Sequence, residues 1–408
     1  MLRLFYHFRM SEGKRILYLL ASYPKWSESF LRLDIQCLEE RGLPITVVSL
    51  FAGDCEMQAG WPQAVILSPN TAVTSSSKPH GKLHTWLQAL IPKSAKAYLS
   101  LRRHRRLLDQ LLLECRKKHI SHIHAEFADL ASLLGSEAAR LTGCTYSIGI
   151  HALDVHKMKY PASRIFAHAS FVTACNLAAA NALQRQCPWI QSRLQLIHHG
   201  VKLTAWKYMG DYRQPSSLKI LFVGRLVAKK GLPNLFHALK ILHESHLEAS
   251  LAIVGDGPEK GALRALAESL DIAEAITWLG VKPQQELPEL FTSFSCLCLP
   301  SIMASDGDQD GIPNVIVEAM AAGLPVVASQ AGSIPEVLTE KTGWAVAEMT
   351  PRSLATALIE CTAHPEESEQ RRKNARMLVE CNYDAVKLAE KRAYLFQNVK
   401  SSDSLFVK

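Results

Sequence analysis

Two charged clusters in the second half of the chain have the residue types and spacing to handle a phosphorylated ligand. The first is Val223-Gly224-Arg225-Leu226 with Lys229-Lys230-Gly231-Leu232 close behind, between an apolar run and an amphipathic stretch from Leu232 to Leu242. A strand, a glycine loop and a helix in that order put backbone N–H groups and the positive end of the helix at the carboxyl edge of a sheet, where anions collect. Arg225 adds a planar fork for paired oxygens and Lys230 a flexible point charge, which together suit a diphosphate. Taken alone, the segment reads equally as a solvated basic loop.

The second cluster is Asp310-Gly311-Ile312-Pro313-Asn314-Val315-Ile316-Val317-Glu318-Ala319-Met320, where one carboxylate follows another by eight residues. Asn314 is the expected N-cap of a helix that Gly323 and Pro325 end. The start of that helix can face a leaving diphosphate. Glu318, one turn inside, can bind the vicinal hydroxyls of a ribose, while Asp310 and the backbone of Gly311 to Pro313 can meet sugar hydroxyls. In isolation Glu318 reads as a first-turn acid complementing the helix dipole. Asp306-Gly307-Asp308 imitates an Asp-x-Asp metal motif, but an acidic glycine loop is the expected reading, and no metal ligands are assigned.

The elements that must position these residues are legible as a repeating rhythm. Short β-rich runs alternate with longer helical patterns, which implies parallel sheets covered by helices on both faces. In the first half the expected strands are 16–20, 45–50, 64–67, 122–124, 146–150 and 171–174, with helices over 28–41, 96–118 and 130–141. In the second half they are 219–223, 250–254, 276–279, 296–299, 325–328 and 343–347, with a helix after each of the first five. The rhythm restarts across residues 203–217, which carry no apolar periodicity and are read as a linker. The expected architecture is therefore α/β, two Rossmann-like domains at 1–202 and 218–383. An amphipathic helix within 384–408 is free to pack back on the first domain. Residues 68–81, rich in Ser, Thr, Pro and Asn, read as a loop.

Composition narrows the class. A chain of 408 residues that is 48% apolar and 21% charged is expected to fold, and no run reaches the ~20 apolar residues of a membrane-spanning helix. Arg3, His7, Arg9, Glu12, Lys14 and Arg15 interrupt any secretory h-region, so a cytoplasmic location is expected. The ten cysteines show no Cys-x-x-Cys pair and read as reduced thiols. Net charge is +8, but nine Lys or Arg against two acids fall within residues 93–118, interleaved with leucines. That amphipathic basic face suits an anionic membrane surface as well as it suits packing into the domain. Without interleaved aromatics or a recognised motif, nucleic acid is not an expected partner.

The pairing of Gly224-Arg225-Leu226 and Lys229-Lys230-Gly231 with Asp310-x7-Glu318-Ala319-Met320-Ala321-x-Gly323-x-Pro325-Val326-Val327 resembles retaining glycosyltransferase family 4. Ser22-Tyr23-Pro24-Lys25-x-Ser27-Glu28-Ser29-Phe30 is similar to the first loop of members that build exopolysaccharide and lipopolysaccharide. His122-Ile123-His124-Ala125-Glu126-Phe127-Ala128, His151-Ala152-Leu153-Asp154 and His199-Gly200-Val201 resemble further landmarks, so the likeness covers nearly the whole chain.

The resemblance implies a GT-B fold and a retaining transfer from a UDP- or GDP-linked sugar to a saccharide or polyprenyl-diphosphate-linked acceptor, with no cofactor. It places the enzyme in bacterial surface polysaccharide synthesis, at the inner face of the cytoplasmic membrane. Arg225 and Lys230 would hold the diphosphate, Glu318 the ribose and Asp310 the sugar. Gly224, Gly255, Gly311, Ile312, Pro313, Asn314 and Val315 would complete the donor site. His151 would face the sugar from the other domain, with Ser27, Glu28 and Asp154 on the acceptor side. Base contacts are expected from the turns at Gly255–Pro258 and Gly280–Lys282. The departure is Asp310, one methylene shorter than the family's usual Glu, a loss of about 1.5 Å of reach. That departure motivates an alternative, a non-catalytic nucleotide-sugar-binding subunit. A nicotinamide dehydrogenase is disfavoured because Gly255-Asp256-Gly257 continues one residue too long for Gly-x-Gly-x-x-Gly.

Overall fold

In the computed structural model, residues 14–68, 92–151, 154–155, 157–210, 217–305 and 307–399 are described. Strands β1 (Arg15–Tyr23), β2 (Ile45–Ala52), β3 (Ala64–Ser68), β4 (Ile120–Glu126), β5 (Thr145–Ile150), β6 (Ala169–Ala174) and β7 (Leu194–Leu196) form one sheet in the order β3-β2-β1-β4-β5-β6-β7. Strands β8 (Leu218–Val223), β9 (Ala249–Val254), β10 (Ile276–Gly280), β11 (Cys296–Leu299), β12 (Val326–Ser329) and β13 (Trp344–Val346) form the second, in the order β10-β9-β8-β11-β12-β13. All of these pairings are parallel. Each sheet reverses its winding beside its first strand, at β1/β4 and at β8/β11. Parallel sheets of this kind bind ligands in the crevice at the carboxyl ends of the strands at such a reversal.

The helices are α1 (Ser29–Glu40), α2 (Lys93–Arg103), α3 (Arg105–Lys117), α4 (Leu130–Thr142), α5 (Ala162–Ile165) and α6 (Leu177–Gln186) in the first domain. The second has α7 (Leu232–Glu244), α8 (Lys260–Ser269), α9 (Leu287–Phe291), α10 (Asn314–Ala322), α11 (Pro351–Ala363) and α12 (Pro365–Asn382), and α13 (Ala385–Gln397) closes the chain. One apolar cluster fills the second domain. The first sheet has a cluster on each face, one against α3, α4 and α6 and one against α1 and α13. The final helix therefore belongs to the first domain by packing: Ala389, Ala393 and Phe396 join Tyr18 and Leu31, and Arg392 forms a buried ion pair with Asp34 of α1.

Three sequence expectations are corrected. The basic stretch expected as one helix over 96–118 is two, α2 and α3, broken at His104 where φ is −101° and ψ 25°. The break turns Leu107, Leu108 and Leu111 into the core and leaves Tyr98, Leu99 and Leu113 exposed. The fifth strand of the second half is followed by a single 3-10 turn, Ile334–Glu336, because Gly332 and Pro335 leave no room for a helix before β13. Strand β7 is only three residues long, Leu194-Gln195-Leu196 with Leu196 exposed, and was not expected. The stretch 69–81 of the expected loop and residues 211–216 of the expected linker lie outside the described residues.

Among the described residues no helix is long and apolar enough to cross a membrane.

Candidate functional site

On the first domain the site is built around Glu126, the last residue of β4. Strand alternation puts His122, His124 and Glu126 on one face. The parallel register sets them beside Thr145, Ser147 and Gly149 of β5. Hydrogen bonds join these side chains into a line. His122 reaches Thr145 and Ser147 at 2.7 Å each, and Ser147 reaches His124 at 2.7 Å. His124 meets Glu126 Oε1 at 3.2 Å, and Tyr18 donates to the same oxygen at 2.7 Å. Gly149 is required here, since a Cβ on it would lie 2.2 Å from Glu126 Oε2.

That second oxygen contacts His151 Nε2 at 2.9 Å, and His151 Nδ1 lies 3.2 Å from His199 Nε2. Burial on its own would raise the Glu126 carboxyl, but the hydrogen bonds with His124 and His151 hold it well below the usual carboxylate range. Burial would likewise lower His151, yet its bonds with Cys175 and Glu126 hold it well above the usual histidine value. Burial and the His151 charge push His199 well down. The consistent assignment is a charged His151 donating from both nitrogens, to Glu126 and to a neutral His199. Phe30 and Phe127 pack on these rings, with centroids 3.9 Å from His199 and 4.1 Å from His151.

Beside this line lies a cavity of about 200 Å³ lined by Ser22, Lys25, Glu28, Phe127, Asp129 and Asp154, among others. Lys25 Nζ pairs with Glu28 Oε1 at 2.9 Å, and Asp154 Oδ2 accepts from the His151 backbone N–H at 2.8 Å. Burial raises both Glu28 and Asp154, and it pushes Asp129 up to about 7. The Ser27 side chain lies outside the described residues.

On the second domain, β8 runs into Gly224 and Arg225, and a short 3-10 turn carries Lys229 and Lys230 into α7. Gly231 sits at φ +63°, and a Cβ there would lie 1.9 Å from the carbonyl oxygen of Pro300. Gly255 sits at φ +137° with a Cβ 1.9 Å from the Gly224 carbonyl oxygen. These glycines let three strand-end loops close on one another. The result brings Lys230 Nζ to 2.7 Å from Asp310 Oδ2, an oxygen that also accepts from Ser301 Oγ at 2.7 Å. Lys229 lies 3.2 Å from Asp308 and 3.6 Å from Asp310. Burial would raise Asp310, but the lysine charges and hydrogen bonds hold it below the usual carboxylate range. Arg225 is exposed, and no side-chain partner for it occurs among the described residues.

The helix after Asp310 starts differently from the expectation. Pro313 occupies the N-cap with φ −67° and ψ 123°, and Asn314 is the first helical residue, without a side-chain cap. Proline cannot donate an N–H and prefers this φ, so it suits the boundary and moves the start one residue earlier. Glu318 is consequently beyond the first turn, buried, and accepts from Gln284 Nε2 at 2.7 Å. Burial pushes its carboxyl up to about 7. Asp306 lies outside the described residues, and Asp308 is engaged by Lys229.

The two halves meet at their carboxyl edges. Glu336, after β12, accepts from the backbone N–H groups of Leu177 (2.8 Å) and Ala178 (3.1 Å), which open α6 after β6. The structure thus brings Lys230, Asp310 and the Gly224 loop together, and separately His151, Asp154 and Glu28, on facing edges. Glu126, His199, Cys175 and Glu336 were not singled out from sequence as site residues. Glu126 and His199 lie within quoted motifs, and that was their only signal.

Residues 211–378 match the family described as Glycosyl transferases group 1. The chain is 26% identical over 372 residues to the amylovoran biosynthesis glycosyltransferase AmsK of Erwinia amylovora, covering 85% of this chain and 90% of that protein. It is 34% identical over 148 residues to a GDP-mannose-dependent phosphatidylinositol monomannoside mannosyltransferase of Mycolicibacterium smegmatis, over 36% of this chain and 39% of that one. The fold is shared with Anabaena Alr3699/HepE in complex with UDP and glucose, at a TM-score of 0.69 and 17% identity over 94% of this chain and 99% of that chain. The facing Rossmann-like domains are those of the GT-B fold, and residues 211–378 carry a glycosyl transferases group 1 domain.

Proposed function

We propose that the protein moves a sugar, with retention of configuration, from a nucleotide diphosphate-sugar to a saccharide acceptor carried on a polyprenyl diphosphate, in the synthesis of a bacterial surface polysaccharide. The observation that carries this reading is the 2.7 Å contact between Lys230 and Asp310. A cation for a phosphate and a carboxylate for a sugar must adjoin if they hold neighbouring parts of one small ligand. The relatives agree in kind: HepE is a complex with UDP and glucose, the mannosyltransferase is named for GDP-mannose, and AmsK for amylovoran synthesis.

In the reaction the bond from the anomeric carbon to the phosphate oxygen breaks, and the acceptor hydroxyl forms its bond on the same face. The hydroxyl proton passes to the leaving phosphate oxygen. Negative charge grows on that oxygen, and Arg225, Lys230 and the N-terminal end of α7 stand where fixed positive groups stabilise it most. An arriving diphosphate competes with Asp310 for Lys230, which frees the carboxylate to accept sugar hydroxyls. Glu318 as a carboxylate accepts from the ribose. Positive charge develops on the sugar, and Glu126 neutralises His151, so that pair does not oppose it. Glu28 and Asp154 line the acceptor cavity. Replacing Lys230 by Ala is expected to lower donor turnover at least tenfold, ~1.4 kcal/mol of barrier; a smaller loss removes the assigned role.

The Asp310 carboxylate, held by Ser301, Lys230 and Lys229, also fits a subunit that binds a nucleotide sugar without turning it over. Donor binding with neither hydrolysis nor transfer by purified protein would select that reading.

Membrane contact is assigned to α2 and α3, where Tyr98, Leu99 and Leu113 are exposed on the same two helices as Arg102, Arg103, Arg105 and Arg106. Each basic residue near an anionic surface adds about 1 kcal/mol. Sedimentation with anionic vesicles should exceed that with neutral ones and fall with salt; equal sedimentation excludes the contact.

A further inference from the structure

Three side chains with nitrogen or sulfur donors converge at the cleft edge of the first domain, one from the end of each of three neighbouring strands. They are His151 after β5, Cys175 after β6 and His199 after β7, and their donor atoms all lie within 4.8 Å of one another. His151 Nδ1 and His199 Nε2 are 3.2 Å apart. Two nitrogens bound at about 2.0–2.1 Å to one tetrahedral Zn²⁺ stand roughly 3.3–3.4 Å apart, so this pair has nearly the required bite.

The surroundings suit the same purpose. Glu126, itself buried, takes the Nε2 side of His151 at 2.9 Å. A carboxylate on one ring nitrogen fixes the tautomer and aims the other lone pair at a metal. Asn176 Nδ2 donates to Cys175 Sγ at 3.5 Å. His199 is held by its packing on Phe30, and its Nδ1 is buried with no hydrogen-bond partner among the described residues. Among the described residues its one hydrogen-bond contact is with His151, so the ring has no other hydrogen-bonding duty there. Glycosyl transfer as assigned above uses neither Cys175 nor His199.

We propose that His151, Cys175 and His199 form a site for a soft divalent cation, Zn²⁺ in particular, with a water as fourth ligand. Imidazole and thiolate select Zn²⁺ over Mg²⁺ or Mn²⁺, which prefer oxygen. Binding replaces the thiol proton of Cys175 and the Nδ1 proton of His151, both released to solvent, so affinity rises with pH. No other bond changes. The consequence for activity rests on the proposal that His151 faces the sugar: one divalent ion replaces two protons and leaves the net charge of the site unchanged, but the metal and its water on Nδ1 block that face, and transfer stops until the metal is withdrawn.

The test uses the full chain, reduced with a phosphine, stripped with a chelator and titrated with Co²⁺. One equivalent should give a thiolate charge-transfer band in the near ultraviolet and visible bands of tetrahedral Co²⁺, both displaced by Zn²⁺. Cys175→Ser, close to isosteric, should abolish the charge-transfer band and weaken Zn²⁺ at least tenfold. His199→Gln should weaken Zn²⁺ similarly, and Cys381→Ser, at an exposed cysteine, should change nothing. The proposal is overturned by the lack of a stoichiometric signal, or by one that survives both Cys175→Ser and His199→Gln. Transfer assays with and without Zn²⁺ then separate the two claims. Binding without inhibition keeps the site and removes the role of His151, whereas inhibition that Cys175→Ser relieves supports both.

Discussion

The two edges of the cleft solve opposite electrostatic problems. On the first domain, charge is locked away: Glu126 is buried and holds three partners, Tyr18, His124 and His151. On the second, charge is parked where it can be exchanged. Lys229, Lys230, Asp308 and Asp310 pair at the mouths of loops, and Arg225 is exposed. A surface that receives a highly charged diphosphate must trade one set of ion pairs for another, whereas a surface that meets an uncharged sugar needs a fixed shape. Under the proposed function the difference is what a donor side and an acceptor side require, and each half of it can be broken separately.

The largest effect is expected at Glu126. Replacing it by Ala leaves His151, Tyr18 and His124 without their buried acceptor, and breaking a buried pair in this way costs about 3–5 kcal/mol. Denaturant unfolding measures it. A loss below about 1 kcal/mol would show that the first edge is no more locked than the second.

Glu318 sharpens the comparison from the other side, since it is, with Asp310, a buried acid of the second domain. Its carboxyl is pushed up to about 7, so between about pH 4.5 and 7 the folded chain keeps a proton that the unfolded chain has released. Stability from this group is full below the unfolded value and falls as pH rises through 7. The loss amounts to about 3 kcal/mol between pH 4 and pH 8. Glu318→Gln should flatten that slope and stabilise the free protein at pH 8 while weakening donor binding. An unchanged pH profile would mean that the carboxyl is not held protonated.

The smallest effect is expected where the edges touch. Glu336→Ala removes the acceptor for the first two N–H groups of α6, and a lost helix cap costs about 1 kcal/mol. Exchange of the Leu177 and Ala178 amides should quicken by about fivefold, with the rest of α6 unchanged. Equal protection in the variant would show that the domains do not depend on this contact.

Much of the donor edge was legible because its parts are local. Gly224 to Leu232 runs from a strand end through a loop to a helix start, and Asp310 to Met320 from loop into helix, each within about a dozen residues, and glycine, proline and charge announce that order. The acceptor edge was less legible. Glu126, His151, Cys175 and His199 are separated by 24 residues or more in every pair, and only the register of β4, β5, β6 and β7 makes them neighbours. The break at His104 was hidden because leucine spacing continues through it, and the start of α10 was misplaced because Asn314 is a good cap in isolation.

The sequence by itself determined two α/β domains with parallel sheets and a strand-end glycine loop rich in positive charge, because these follow from periodicity and short-range backbone preference. Only the tertiary structure decided which carboxylate holds which histidine, that Lys230 rests on Asp310, and that the last helix covers the first sheet. Those contacts join residues far apart in the chain, and their energies depend on burial, which no local pattern of residues specifies.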